Sequence, residues 1–295
     1  MLKCRRNPSN DLYICYLDRW KSFCLERQLD PIFSDVCHVL EFLQCLFQDT
    51  DVARGSSAIC TARSALSSIV ILPDGTKVGE NKFVKQFIKG VCNMKPAKPR
   101  YLDSWDPNIV LEMFKNEEWN PLDQLTLMEL SVKTVMLILL ATYQRGQIIL
   151  ALNLERMTML KDEVRFEILR ADLKQGSKKN CKPKPIVFCK RIDTPELCIF
   201  EHLQCYLSRT LAVRNDVKQV FLITRKPFNA VSRECVSKWV KAVMKHAKID
   251  VEYFAPGSTR GASSSQAYAA GIPVQDILDK AGWSRIDTFL KWYQR

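Results

Sequence analysis

Residues 125–154, "LTLMELSVKTVMLILLATYQRGQIILALNL", constrain this chain more than any other segment. So many apolar residues in succession must be buried, and a helix satisfies its own backbone hydrogen bonds while they are. The densest part, "VMLILLA" at 135–141, is far shorter than the roughly 20 residues a membrane span needs. The segment predicts a core helix, a break near Gly146, and a second apolar run.

Other segments show the helical period. "LYICYLDRWKSFCLERQ" puts Leu12, Cys15, Tyr16, Trp20 and Phe23 on one face. "FSDVCHVLEFLQCLFQD" predicts a second helix, capped by Ser34. "SSAICTARSALSSIVILPDG" predicts a third, stopped by Pro73-Asp74-Gly75. "NKFVKQFIKGVCNM" predicts a fourth, with Lys82, Lys85 and Lys89 on one face. "KPAKPRY", two prolines among basic residues, reads as a semi-extended boundary. The expected organisation is a helical domain over 1–97, a linker over 98–104 and a second domain over 105–295. The second domain opens with Asp106 as helix cap and Pro107 at the first helical position. "VRFEILR" and "CKPKPIVFCK" read as short strands around a lysine-rich hairpin. The helical period then returns over 195–214, 232–249 and 273–283.

The chain has 295 residues, 47% of them hydrophobic, enough for one large or two modest cores. Its 44 Lys and Arg outnumber 32 Asp and Glu, a balance that points to a polyanionic partner, usually nucleic acid. Its 12 cysteines form no C-x-x-C pair, which argues against a zinc ribbon and for buried thiols in a reducing compartment. The first residues lack the apolar run of a signal peptide. Neither a membrane nor a small-molecule substrate is expected.

Three separated basic residues and one tyrosine can share one chemistry. Arg145 lies at the break after the buried helix, Lys174 on the hairpin, Arg260 in "GSTRGASSS" and Tyr293 in "TFLKWYQR". Two arginines can hold a phosphate in planar, bidentate forks. A tyrosine oxygen can attack the phosphorus and form a covalent link. A lysine can protonate the departing sugar oxygen. This scheme calls for no metal and no cofactor, in keeping with a sequence that lacks clustered carboxylates or His/Cys groups. The lysines of the hairpin, Lys178 and Lys179 among them, suit phosphate tracking, as do Arg233, Lys238 and Lys241 along a helix capped by Ser232. The glycines at 257 and 261 would let the backbone near Arg260 approach a phosphate closely.

At these residues the chain resembles the tyrosine recombinase (phage-integrase-like) family, most closely the recombinases of eukaryotic DIRS-type retrotransposons. "QRGQ" is similar to the first-arginine box and "STRGASSSQAYAAGIPVQDIL" to the second. "AGWSRIDTFLKWY" is similar to the box that runs from Trp283 to Tyr293. The upstream "DPIFSDVCHVLEFL", "RSAL" and "KPRYLDSWD" look like its DNA-clamping domain and linker. The resemblance implies a mainly α, two-domain fold: an all-α SAM-like core-binding domain and an α+β catalytic domain with a small antiparallel sheet. It implies that Arg145 and Arg260 polarise the scissile phosphate, Lys174 is the leaving-group acid, Trp283 places the phosphate, and Tyr293 is the nucleophile. The partner would be double-stranded DNA, bound by a homotetramer on two sites, with a mobile-element role in the nucleus.

Two features depart from that pattern. Gly257 stands where family members usually carry His, three positions before Arg260, and only Gln294 and Arg295 follow Tyr293, where many members continue into a docking helix. The alternative reading is a catalytically impaired, DNA-binding remnant of such a recombinase. A more distant one is a helical scaffold whose charge is incidental.

Overall fold

The computed structural model describes residues 7–49, 55–96, 99–169, 172 and 184–293. The chain divides into two compact units, 1–98 and 99–295.

The first unit contains α1 (Asn7–Glu26), α2 (Val36–Gln48), α3 (Ser56–Leu66) and α4 (Lys82–Met94). Its core joins Trp20, Phe42, Leu43, Ile59, Leu66, Val84 and Val91. Trp20 meets Phe42 edge-on at 5.2 Å between ring centroids, and its indole N–H donates to Pro31 O at 2.9 Å. Two expectations need correction. The cap of α2 is Asp35, whose Oδ1 accepts from Cys37 N at 2.9 Å, whereas Ser34 Oγ donates to Asp30 O at 2.7 Å. The helix α3 ends at Leu66 rather than at Pro73. The β-branched run Ile69-Val70-Ile71 favours extended backbone, and Ile71 bridges to Phe33 and Lys77.

The second unit is built on α6 (Leu127–Thr142), preceded by α5 (Pro107–Lys115). α5 carries the expected cap, Asp106 Oδ1 accepting from Asn108 N at 2.9 Å, with proline at its start. α6 starts with a reciprocal Thr126/Glu129 capping box and is buried on nearly every side. It packs against α8 (Ile199–Thr210), α9 (Arg233–His246) and α10 (Thr259–Ala269). A lysine is among the polar groups buried in this unit. Lys133 Nζ donates to Trp119 O at 2.9 Å and Asn120 Oδ1 at 3.0 Å, and burial lowers its pKa to about 8. The second apolar run forms the short α7 (Gln147–Ala151).

The antiparallel sheet has three strands in the order β1 (Met157–Met159), β2 (Glu163–Phe166), β3 (Ile186–Cys189). Val164 pairs with Phe188 and Phe166 with Ile186. Val164, Phe166 and Phe188 are buried, as strand alternation requires. The sequence pattern anticipated β2 and β3 but not β1. The chain closes with α11 (Val274–Ala281) and α12 (Ile286–Trp292). Residues 99–104, expected as linker, pack on the second unit instead. Tyr101 lies 5.7 Å from Tyr253 and 5.4 Å from Phe254 between ring centroids, and its hydroxyl accepts from Ala255 N at 3.0 Å. No helix among the described residues is long and apolar enough to cross a membrane.

Candidate active site

The break after α6 positions Arg145. Tyr143 ends the helix with φ +54°, and its ring is buried, which raises its pKa. Arg145 follows on the surface, and its carbonyl accepts from Ile148 N at 2.8 Å as α7 begins.

Arg260 sits in the first turn of α10, directly after the tight turn Pro256–Ser258. Gly261 lies within the helix, and Gly257 in the turn before it. Small residues let this helix pack closely, and its hydroxyls are committed to tethers. Ser263 Oγ donates to Thr259 O at 2.8 Å, Ser264 Oγ to Arg260 O at 2.7 Å, and Ser265 Oγ to Tyr293 O. Ser258 Oγ accepts from the indole N–H of Trp105 at 2.9 Å.

The Arg260 side chain is only 4% exposed. Its Nη2 donates to Ala281 O at 2.7 Å, and its Nε is buried with no hydrogen-bond partner. The guanidinium carbon lies 4.3 Å from the Trp283 ring centroid and 5.6 Å from that of Tyr293. Burial lowers the Arg260 pKa to about 10; the Tyr293 charge opposes this fall and the Arg145 charge adds to it. A buried cation without a carboxylate has spare donor capacity for an anion.

Trp283 and Tyr293 are placed by helix ends. α11 terminates at Gly282, φ +68°, a conformation that glycine adopts at little cost. Trp283 N then bonds Leu278 O at 2.8 Å, and the indole packs in a small core with Tyr143, Ile277, Leu278 and Phe289. Tyr293 follows α12, its ring centroid 4.5 Å from that of Trp283. A cleft of about 320 Å³ opens beside it, lined among others by Arg100, Tyr101, Asp103, Gly257 and Gly261. A Cβ at Gly257 would meet nothing within 4 Å, and one at Gly261 would touch Tyr293 Cδ1 at 3.6 Å.

Arg260, Trp283 and Tyr293 thus form one cluster, with Arg145 close enough for its charge to act on Arg260. Lys174, Lys178 and Lys179 lie outside the described residues. Lys82, Lys85 and Lys89 are exposed on α4 in the first unit. Arg233, Lys238 and Lys241 are exposed on α9 and line a shallow hollow that reaches Pro256, the neighbour of Gly257. Lys241 also pairs with Glu252 at 3.5 Å. Sequence reasoning missed Tyr101 and Asp103, which lay in the presumed linker, and the carbonyl of Ala281, which no residue type signals. Among the described residues no cluster of His, Cys, Asp and Glu is placed to hold a metal.

Comparison with solved structures supports the fold. XerH site-specific recombinase, bound to a palindromic difH substrate in a post-cleavage complex, matches with TM-score 0.55 at 13% identity, over 86% of this chain and 67% of that one. The Tn1549 transposon integrase in complex with transposon right end DNA matches with TM-score 0.54 at 13% identity, over 88% and 81%. A lambda integrase dimer bound to a COC' core site matches with TM-score 0.53 at 13% identity, over 99% and 72%. No curated protein matches the sequence. The sequence model of the phage integrase family matches residues 122–295, which contain Arg145, Arg260, Trp283 and Tyr293. By this match, which spans more than half of its length, the chain belongs to the phage integrase family.

Proposed function

We propose that this protein cuts and rejoins double-stranded DNA through a covalent 3'-phosphotyrosine intermediate. The observation that carries the reading is the Arg260 cluster: a buried, carboxylate-free guanidinium in contact with Trp283 and Tyr293 and within reach of the Arg145 charge. Two cations at one point favour the charge that develops on a phosphate in transit. Tyr293 Oη forms the new bond to phosphorus, and the bond to the 5'-oxygen of the leaving strand breaks. Lys174 donates the proton to that oxygen. The Tyr293 proton passes to solvent, because Gly257 offers no group to take it. The indole N–H of Trp283 helps place the phosphate.

The basic face of α9 and the exposed lysines of α4 supply the sequence-independent grip on DNA. The structural relatives include complexes with DNA, which supports duplex DNA as the partner here. Assembly as a tetramer on two sites, a DIRS-type mobile-element origin and a nuclear location rest on the sequence resemblance.

The test is a nicked suicide duplex incubated with the wild type and Tyr293→Phe. A protease-sensitive covalent adduct from the wild type alone supports the reading. A 5'-bridging phosphorothiolate, whose sulfur leaves without a proton, should rescue Lys174→Ala and leave Arg260→Met inactive. The second reading, a DNA-binding remnant, is favoured by the missing side chain at Gly257. Salt-dependent DNA binding with no adduct would establish it.

A further inference from the structure

We propose that Gln144 is a positioning residue, which sets Arg145 in register with Arg260 through the C-terminal carbonyls of α11. The inference rests on reading the two arginines as a phosphate site. The last carbonyls of a helix have no partner within it. In α11 two consecutive ones are taken by side chains from elsewhere. Gln144 Nε2 donates to Lys280 O at 2.6 Å, and Arg260 Nη2 donates to Ala281 O at 2.7 Å. One backbone step therefore links one arginine directly and the other through its immediate neighbour.

The surroundings fit this function. Tyr143 and Gln144 lie in a break where the chain leaves α6 at φ +54°, so helix hydrogen bonds no longer dictate the path to Arg145. The Tyr143 ring joins the small core that includes Leu278 and Ala281, with Lys280 Nζ 5.7 Å from its centroid. That contact holds the start of the break, and the Gln144 amide holds its next residue. Gly282 closes the same contact. A Cβ there would stand 3.6 Å from Gln144 Nε2. The amide suits its acceptor, because helix C-terminal carbonyls carry partial negative charge. A carboxylate of the same size would be repelled.

The consequence is geometric. Bidentate recognition of a phosphate by two guanidinium groups needs their spacing held closely. Arg145 is exposed and follows a non-helical turn, so its spacing to Arg260 depends on what ties that turn down. Loss of the Gln144 bond should weaken phosphate binding about fivefold, the effect of one hydrogen bond, while the fold persists.

The experiment uses the full chain with 15N-labelled arginine side chains, titrated with inorganic phosphate. In the wild type the Nε–H signals of Arg145 and Arg260 should respond with a single Kd. In Gln144→Ala and Gln144→Glu that affinity should fall about fivefold, and the two signals should titrate separately. Gln144→His, whose ring N–H keeps a donor at similar reach, should restore the shared Kd. The proposal is overturned if Gln144→Ala and Gln144→Glu bind phosphate as the wild type does, with both signals still coupled. It is equally overturned if Gln144→His is as weak as Gln144→Ala, because the donor is then not what matters. If neither arginine responds in the wild type, the phosphate-site reading itself falls, and the proposal with it.

Discussion

Replacing Arg260 by methionine separates an arginine kept for a ligand from one kept for the fold. Burial lowers the Arg260 pKa to about 10, because keeping this cation away from water carries a desolvation cost on the order of several kcal/mol. Because the folded pKa lies below the unfolded one, that cost is present in full at every pH below about 10, and it lifts only as the pH rises further. Two contacts oppose it. The bond to Ala281 O contributes about 1.5–3 kcal/mol as a charged hydrogen bond, and the stack on Trp283 contributes about 0.5–2 kcal/mol. Gain and cost nearly cancel, and methionine fills most of the same volume. Arg260→Met should therefore change the unfolding free energy by no more than about 1 kcal/mol while abolishing the covalent adduct. Urea unfolding at pH 7 measures the first quantity and the nicked duplex the second. Inorganic phosphate should raise the urea midpoint of the wild type and leave that of the variant unmoved. A loss of more than about 3 kcal/mol, or an adduct that survives, would refute the reasoning.

Three further expectations follow from particular residues. A side chain at position 257 meets open space beside Tyr293, so Gly257→His should raise single-turnover adduct formation about 100-fold or more; an unchanged rate would show that proton transfer is not what the site lacks. His202 is fully buried, and burial, reinforced by the Lys133 charge, holds its pKa down to about 4. The unfolded chain takes the proton more readily, so stability should fall between about pH 6.5 and 4 by up to about 3 kcal/mol; urea midpoints at pH 7.5 and 4.5 should differ less in His202→Gln than in the wild type. Changing Arg233, Lys238 and Lys241 together to alanine should flatten the slope of log K against log salt for duplex DNA by about 2 to 3; an unchanged slope would remove α9 from the interface.

The sequence was most legible where one physical rule acts alone. Asp106-Pro107 announced α5, and the all-round apolar character of 127–142 announced a core helix. It was least legible where two local rules competed. Ser34 and Asp35 are both good caps, and the choice went to Asp35 because Ser34 is occupied by Asp30 O. The apolar residues after Leu66 kept a helix-like content, yet their β-branching turned the chain into an extended bridge. Tyr101 was hidden for a different reason. A proline- and lysine-rich stretch looks like linker from composition, and only the aromatic surface of Tyr253 and Phe254 gives Tyr101 something to pack on.

The site divides along the same line. Residue types and order singled out Arg145, Arg260, Trp283 and Tyr293, because few side chains can hold a phosphate or attack it. What order could not convey is how each is held. The glycines beside Arg260 suggested close approach of backbone to an anion; the small residues form a helix whose hydroxyls bond neighbouring carbonyls, and this leaves the arginine buried against two rings. Its hydrogen-bond partner is a backbone carbonyl at the end of α11, and backbone groups are the same at every position of a sequence. The same helix end receives Gln144. Burying a cation on a helix C-terminus costs stability that a surface arginine would not, and a fold with no use for the charge would gain from an apolar residue there. Arg260→Met is informative for that reason: a near-neutral effect on unfolding, together with complete loss of chemistry, is the outcome expected only where the charge is kept for something that arrives from outside the fold.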